Sequence, residues 1–257
     1  MTADFYAALN IVKKVLALDF ACEENDFDKE GVFVHRTKAL PGRRKFPFRE
    51  KSLAVATMGR GVVVSCNGER LRWAETALSR LSRNEICSAP AAALMERYVN
   101  KEGQNIVGPD LKHICTQDIF VPFSTGKEVE IKLVEDVKLL GKIDFSLFPD
   151  CLGHSNNPNR VAALARINGE ITGMAAATAD CNTMWQIGVD TLPEFRQRGI
   201  GKAAVSAVTE YILKLGIVPY YSTSLSNIAS RQIATSLGFR PAWVELYARE
   251  MMAQGGH

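Results

Sequence analysis

The chain has 257 residues, 47% of them hydrophobic and 23% charged, an ordinary balance for one or two globular domains. Its net charge of +3 and pI near 8.5 fall short of the local basic excess of a nucleic-acid binder and suit a small, locally held anion better. Six cysteines, no two closer than 21 positions, exclude a zinc site built on cysteine pairs, and no metal is expected.

Phe5, Leu9, Val12, Leu16 and Phe20 recur at helical spacing and predict an N-terminal helix docked on a core. Asn10, Lys13 and Lys14 interrupt any secretory apolar region, and no apolar run reaches the roughly 18 residues of a membrane span. The expectation is a cytoplasmic protein with reduced thiols and no membrane partner. The acidic run 23–30 and the basic stretch Ala39–Lys45 read as solvated loops. Leu53–Thr57 and Val62–Cys66 are predicted strands. Asn67 is placed to cap a helix from Gly68 to about Ser82, burying Leu71, Ala74, Leu78 and Leu81, with a second helix over Ala91–Val99. Residues 101–127, punctuated by Gly103, Gly108, Pro109, Pro122 and Gly126, read as irregular, so a boundary falls there. This predicts an N-terminal mixed α/β domain over 1–120, without readable chemistry, and a second domain over 121–257.

In the second half, Glu128–Val134 predicts a strand, Glu135–Lys142 a short helix, and 156–159 a loop. Arg160–Ile167 and Glu170–Ala179 predict a hairpin about the Asn168-Gly169 turn, followed by a strand over Thr183–Asp190. A glycine loop, a helix over Gly199–Leu215, a strand over Ile217–Ser224, a helix over Ile228–Leu237 and a last strand over Phe239–Tyr247 complete the order.

The loop Arg196-Gln197-Arg198-Gly199-Ile200-Gly201-Lys202 joins a strand to a helix N-terminus. The first helical N–H groups have no partner inside the helix, and the helix dipole adds positive potential there. Gly199 and Gly201 let an oxygen approach the backbone, and Arg196, Arg198 and Lys202 supply charge, so a pyrophosphate suits the loop. A nucleotide-triphosphate loop would need Ser or Thr after Gly201-Lys202, where Ala203 stands. A dinucleotide loop is matched literally by Gly199, Gly201 and Ala204. That fold, however, runs its strand almost directly into the first glycine, whereas Pro193 and two arginines intervene here, and the acid-free strand 217–224 offers no ribose ligand.

A third pattern, R/Q-x-x-G-x-G/A, is matched by Arg196, Gly199 and Gly201, and with it the segment resembles the GNAT superfamily of N-acetyltransferases. Asn227-Ile228-Ala229-Ser230 with Leu237-Gly238-Phe239 is similar to that family's second signature. The resemblance covers about half the chain. It implies an α+β fold, with a mixed, mostly antiparallel sheet flanked by helices, and an additional N-terminal α/β domain. It implies acetyl-CoA as cosubstrate, with the backbone of Ile187, Gly188 and Val189 along the pantetheine arm. The backbone of Arg196, Gln197, Arg198, Gly199, Ile200, Gly201 and Lys202 would hold the pyrophosphate, and Asn227 and Ser230 would meet the pantetheine or diphosphate. The strands parted to form the slot would be Thr183–Asp190 and Ile217–Ser224.

The implied activity is N-acetyl transfer from acetyl-CoA to an amine of a small molecule or protein, by direct attack in a ternary complex; a homodimer is compatible with it. A backbone N–H near Val189 would meet the oxyanion. The family's tyrosine acid would fall at Ala234, and Thr183–Val189 carries no carboxylate, so no catalytic residue is assigned. Tyr220, Tyr221, Asp190 and Glu170 are the available substitutes, and His154 lies where the family binds acceptors. The alternative is an acetyl-CoA-binding module or sensor without catalysis.

Overall fold

The first helix, α1 (Phe5–Phe20), buries Ala8, Val12, Val15, Leu16, Ala17 and Phe20. Phe5 and Leu9 are only half-buried, so the buried face is turned from the expected one, and small Ala8 and Ala17 share it. This computed structural model describes residues 4–45, 53–140, 142–151, 153 and 157–251, leaving aside the Val137 side chain. His154 and Asn156, both noted in the sequence, lie outside the described residues.

The remaining elements are, in order, β1 (Val32–Arg36), β2 (Leu53–Thr57), β3 (Val62–Cys66), α2 (Leu71–Ala77), α3 (Arg83–Ile86), α4 (Ala89–Val99) and β4 (Gln104–Ile114). They continue with β5 (Glu130–Val134), α5 (Val137–Leu140), β6 (Asn159–Ile167), β7 (Glu170–Thr178), β8 (Met184–Thr191), α6 (Ile200–Lys214), β9 (Val218–Ser224), α7 (Ile228–Ser236) and β10 (Arg240–Glu250). The fold is α+β, with its strand pairs mostly antiparallel.

The chain divides into two compact units, neither continuous in sequence. One takes the described residues of 12–43, 47–112 and 242–257; the other takes those of 1–11, 44–46 and 113–241. A single cut at 120/121 does not describe this division, because β10 returns to pair with β2 through Val244↔Thr57 to Tyr247↔Ala54.

In the first unit the strand order is β1-β3-β2-β10-β4. β2 and β3 are buried throughout and pack with Ala74, Leu78, Ile86, Met95 and Val99 from the helices. Asn67 caps as expected, its side chain accepting from the Arg70 N–H at 3.2 Å, a device worth about 1 kcal/mol. The predicted helix over 68–82 is instead a 3-10 turn, Gly68–Arg70, followed by α2, which ends at Ala77. Ser82 then starts a separate α3 as its cap, accepting from the Glu85 N–H while the Glu85 carboxylate accepts from the Ser82 N–H. The stretch after 101, expected to be irregular, contains the 11-residue β4, whose Gly108-Pro109 pair (a cis peptide) carries the signature of a loop inside a strand. The acidic run is not a solvated loop throughout: it holds a 3-10 turn, Glu24–Phe27, with Phe27 buried and the Asp26 carboxylate 2.9 Å from His35 Nε2.

In the second unit the order is β9-β8-β7-β6-β5, antiparallel except for the parallel β8–β9 pair. The β6–β7 turn is Asn168-Gly169, both at positive φ (51° and 85°), as the sequence predicts. Alternation divides the sheet into two faces. Ala163, Ala175, Ala177, Ile187 and Tyr221 face α6 and α7, against Ala204, Val205, Val208 and Ala234. Ala162, Leu164, Met174 and Ala176 face the other way, against Leu140, Phe148 and Cys151. The run of alanines on β6 and β7 keeps both layers close to the strands.

Candidate active site

The site is built where β8 leaves β9. Their register runs Met184↔Val218, Trp185↔Pro219, Gln186↔Tyr220 and Ile187↔Tyr221, and ends there. β8 continues to Thr191, held by β7 through Gly173↔Thr191, and β9 continues to Ser224. Gly188 to Thr191 therefore present to this gap a strand edge that β9 no longer covers, the geometry that accepts an extended, amide-bearing chain as an added strand.

β8 leads into the glycine loop through a 3-10 turn, Pro193–Phe195. Gln197 and Gly199 adopt left-handed backbone (φ 62° and 77°), and α6 begins at Ile200, its first bond running from the Ala203 N–H to the Gly199 carbonyl at 2.9 Å. This sequence of turns points the leading N–H groups of a 15-residue helix outward, an anion-binding arrangement. A side chain at Gly199 would strain the backbone and meet the Phe123 ring at 3.2 Å. Gly201 is buried, and its missing side chain faces Thr191 Oγ1 (2.9 Å from an ideal Cβ) and Val189, so it lets α6 lie against β8. The Ile200 side chain is likewise in the core, leaving only its backbone to a ligand.

The cations of the loop already have partners. Arg196 Nε donates to the Thr191 carbonyl at 3.1 Å. Arg198 pairs with Glu128 at 3.4 Å and lies over the Phe195 ring. Lys202 Nζ sits 4.3 Å from the centre of the Phe123 ring. Gln197 is exposed. Phe123, which pattern reading passed over, is tied to α6 by its N–H to Ser206 Oγ at 2.9 Å.

On α7, the Asn227 side-chain Oδ1 accepts from the Ser230 N–H at 3.1 Å and so caps the helix. Ser230 Oγ lies 2.7 Å from the Tyr221 hydroxyl, and Tyr221 packs in the same cluster as Ala234. A tyrosine thus reaches the neighbourhood of position 234 from strand β9. Burial pushes the Tyr221 pKa up, so its proton stays on at neutral pH.

On the opposite face, Gly188 lies under the short helical turn Pro149–Cys151: an ideal Cβ there would stand 1.8 Å from the Asp150 carbonyl oxygen. Asp190 accepts from the Asp150 N–H at 2.7 Å, and burial raises its pKa against that bond. Cys151, bonded through its thiol to the Met174 carbonyl at 3.2 Å, is held in the thiol form by the same burial. Glu170 begins β7 in the β6–β7 hairpin, three residues before the Gly173 that pairs with Thr191, and is exposed. Tyr220 donates its hydroxyl to Asp180, with Gln186 Oε1 at 2.8 Å. Asp180 also accepts from Asn157 and Thr178, each at 2.7 Å. Arg44, expected in a solvated basic loop, is buried with its guanidinium 5.9 Å from the Tyr220 ring centre. This buried cluster carries no spacing motif, so a sequence pattern does not reveal it.

Residues 130–239 match the family model described as Acetyltransferase (GNAT) family. They form a GNAT acetyltransferase domain. Its family performs acetyl transfer with acetyl-CoA as cosubstrate. No curated protein matches the chain. Among solved structures, the chain is similar to a GCN5-related N-acetyltransferase from Kribbella flavida (22% identity, TM-score 0.41, covering 63% of this chain and 64% of that one). It is also similar to a GCN5-related N-acetyltransferase-like protein from Streptococcus suis (16% identity, TM-score 0.47, covering 63% and 69%). The chain thus spans less than two thirds of the Kribbella protein's length. Among the described residues no helix is long and apolar enough to cross a membrane, and no three His, Cys, Asp or Glu side chains gather as metal ligands.

Proposed function

We propose that the chain is an acetyl-CoA-dependent N-acetyltransferase acting on an amine of a small molecule or protein in the cytoplasm. The observation that carries this reading is the parting of β8 from β9 directly beside the glycine-bounded N-terminus of α6. On this reading the N–H groups leading into α6 take the pyrophosphate and the Gly188–Val189 edge takes the pantetheine amides, which brings the thioester to the end of the gap at Ile187 and Tyr221.

The amine nitrogen attacks the acetyl carbonyl carbon while a β8 backbone N–H near Val189 receives the oxyanion. The C–S bond then breaks and its electron pair stays on sulfur. Tyr221 is our candidate donor to that sulfur, its proton replaced through Ser230. An amine of pKa about 10.4 arrives protonated, and its surplus proton must leave to water or to a base on the acceptor side. Direct transfer is favoured over an acyl-cysteine because Cys151, in the turn beside Gly188, is buried as the neutral form, as is Cys115 in the cluster of Ile187 and Tyr221, and the thiolate is the nucleophile.

Release of CoA thiol across a panel of amines tests the reading. Tyr221→Phe is expected to lower kcat by about 10²-fold while leaving acetyl-CoA affinity within about twofold, the signature of lost proton donation. Saturable acetyl-CoA binding with no turnover on any acceptor would favour the sensor reading instead.

A further inference from the structure

Main chain closes one side of the gap. Gly188 stands next after the last β8–β9 pair, on the face away from α6, opposite Ala176 of β7. The turn Pro149–Cys151 lies against it so closely that the Asp150 carbonyl occupies the space a side chain would need. This strap is fastened at three points. Asp150 N–H donates to the Asp190 carboxylate at 2.7 Å, the Cys151 thiol donates to the Met174 carbonyl at 3.2 Å, and the buried Asn159 amide donates to the Cys151 carbonyl at 2.7 Å. A wall of side chains yields by changing rotamer; a wall of fastened backbone does not.

We infer that this strap is the floor of the acyl pocket and sets the length of the acyl chain, with Asp190 as the positioning residue that latches it. The inference rests on the acetyl-CoA reading above. If the coenzyme runs from α6 along β8, its thioester reaches Ile187 and Gly188, and carbons added to an acetyl group meet the backbone at Asp150. The strap thus admits acetyl and turns away longer chains. Asp190, the one carboxylate on β8, is committed to the strap, not to the amine.

Calorimetric titration of the full chain with acetyl-, butyryl- and octanoyl-CoA tests this, together with hydrogen exchange at the Asp150 and Cys151 amides. For the wild type, butyryl-CoA is expected to bind at least about tenfold more weakly than acetyl-CoA. Asp190→Ala is expected to expose the Asp150 amide to exchange and bring that ratio within about threefold, while Asp190→Asn, which keeps an acceptor oxygen, retains the discrimination. Asn159→Ala loosens the strap from its other end and is expected to relax the ratio in the same direction. Equal binding of all three thioesters by the wild type overturns the inference. So does a strap that exchanges freely in Asp190→Ala or Asn159→Ala with the ratio unchanged. Failure of every thioester to bind the wild type overturns the acetyl-CoA reading itself, and this inference with it.

Discussion

Gly199 and Gly201 stand two residues apart in one motif, and the fold uses them differently. Gly199 supplies a left-handed turn that aims the first N–H groups of α6, whereas Gly201 lets the helix settle against Thr191. Asp180 shows a different kind of importance. Its carboxyl is fully buried, and burial raises its pKa despite bonds from Tyr220, Thr178 and Asn157 and the nearby Arg44 charge. The folded state therefore holds this proton more tightly than the unfolded chain, whose carboxyl titrates near 3.8. The resulting stability is present below 3.8 and is lost as pH rises through the folded value. Urea midpoints measured upward from pH 4 are expected to show the wild type losing ground to Asp180→Asn as pH increases; an unchanging difference between the two would contradict that. None of this cluster was legible in advance, because burial of Arg44 and Asp180 is decided by tertiary neighbours and neither residue sits in a periodic or motif context.

At the scale of elements, the regular part of the second half was readable: β6, β7, β8, α6 and α7 fall within a residue or two of the predicted spans. Their alternation, the Asn168-Gly169 turn and the glycine before α6 all speak locally. β4 was not readable, because Gly108 and Pro109 interrupt its strand pattern. The strap was not readable either, since a three-residue turn has no period. Asn227 shows where a motif and a cap coincide. Asn227→Ala is expected to cost about 1 kcal/mol of stability, whereas Asn227→Ser keeps a capping oxygen and costs only tenths. If the Asn227 amide also meets acetyl-CoA, both variants lose affinity to a similar degree. Equal affinity in Asn227→Ser and wild type would confine Asn227 to capping.

At the scale of the whole molecule, the chain crosses between its two units more than once, so no single sequence boundary frees either. β10 supplies Val244 to Tyr247 as partners for β2, and Leu246 belongs to the core of that unit. Truncation after Pro241 is expected to raise hydrogen exchange across Leu53–Thr57; undisturbed protection there would show that β10 is dispensable to it. The domain matched by the family ends at Phe239 and includes both the parted strands and the glycine loop. The central claim is that this place holds acetyl-CoA. Thermal unfolding of the full chain with increasing acetyl-CoA tests it most directly, beside the double variant Gly199→Glu, Gly201→Glu. The wild type is expected to gain about 2.7 kcal/mol at a ligand concentration of about 100 Kd, and the double variant to show no ligand-dependent gain. No stabilisation of the wild type, or the same stabilisation in both proteins, would contradict the account.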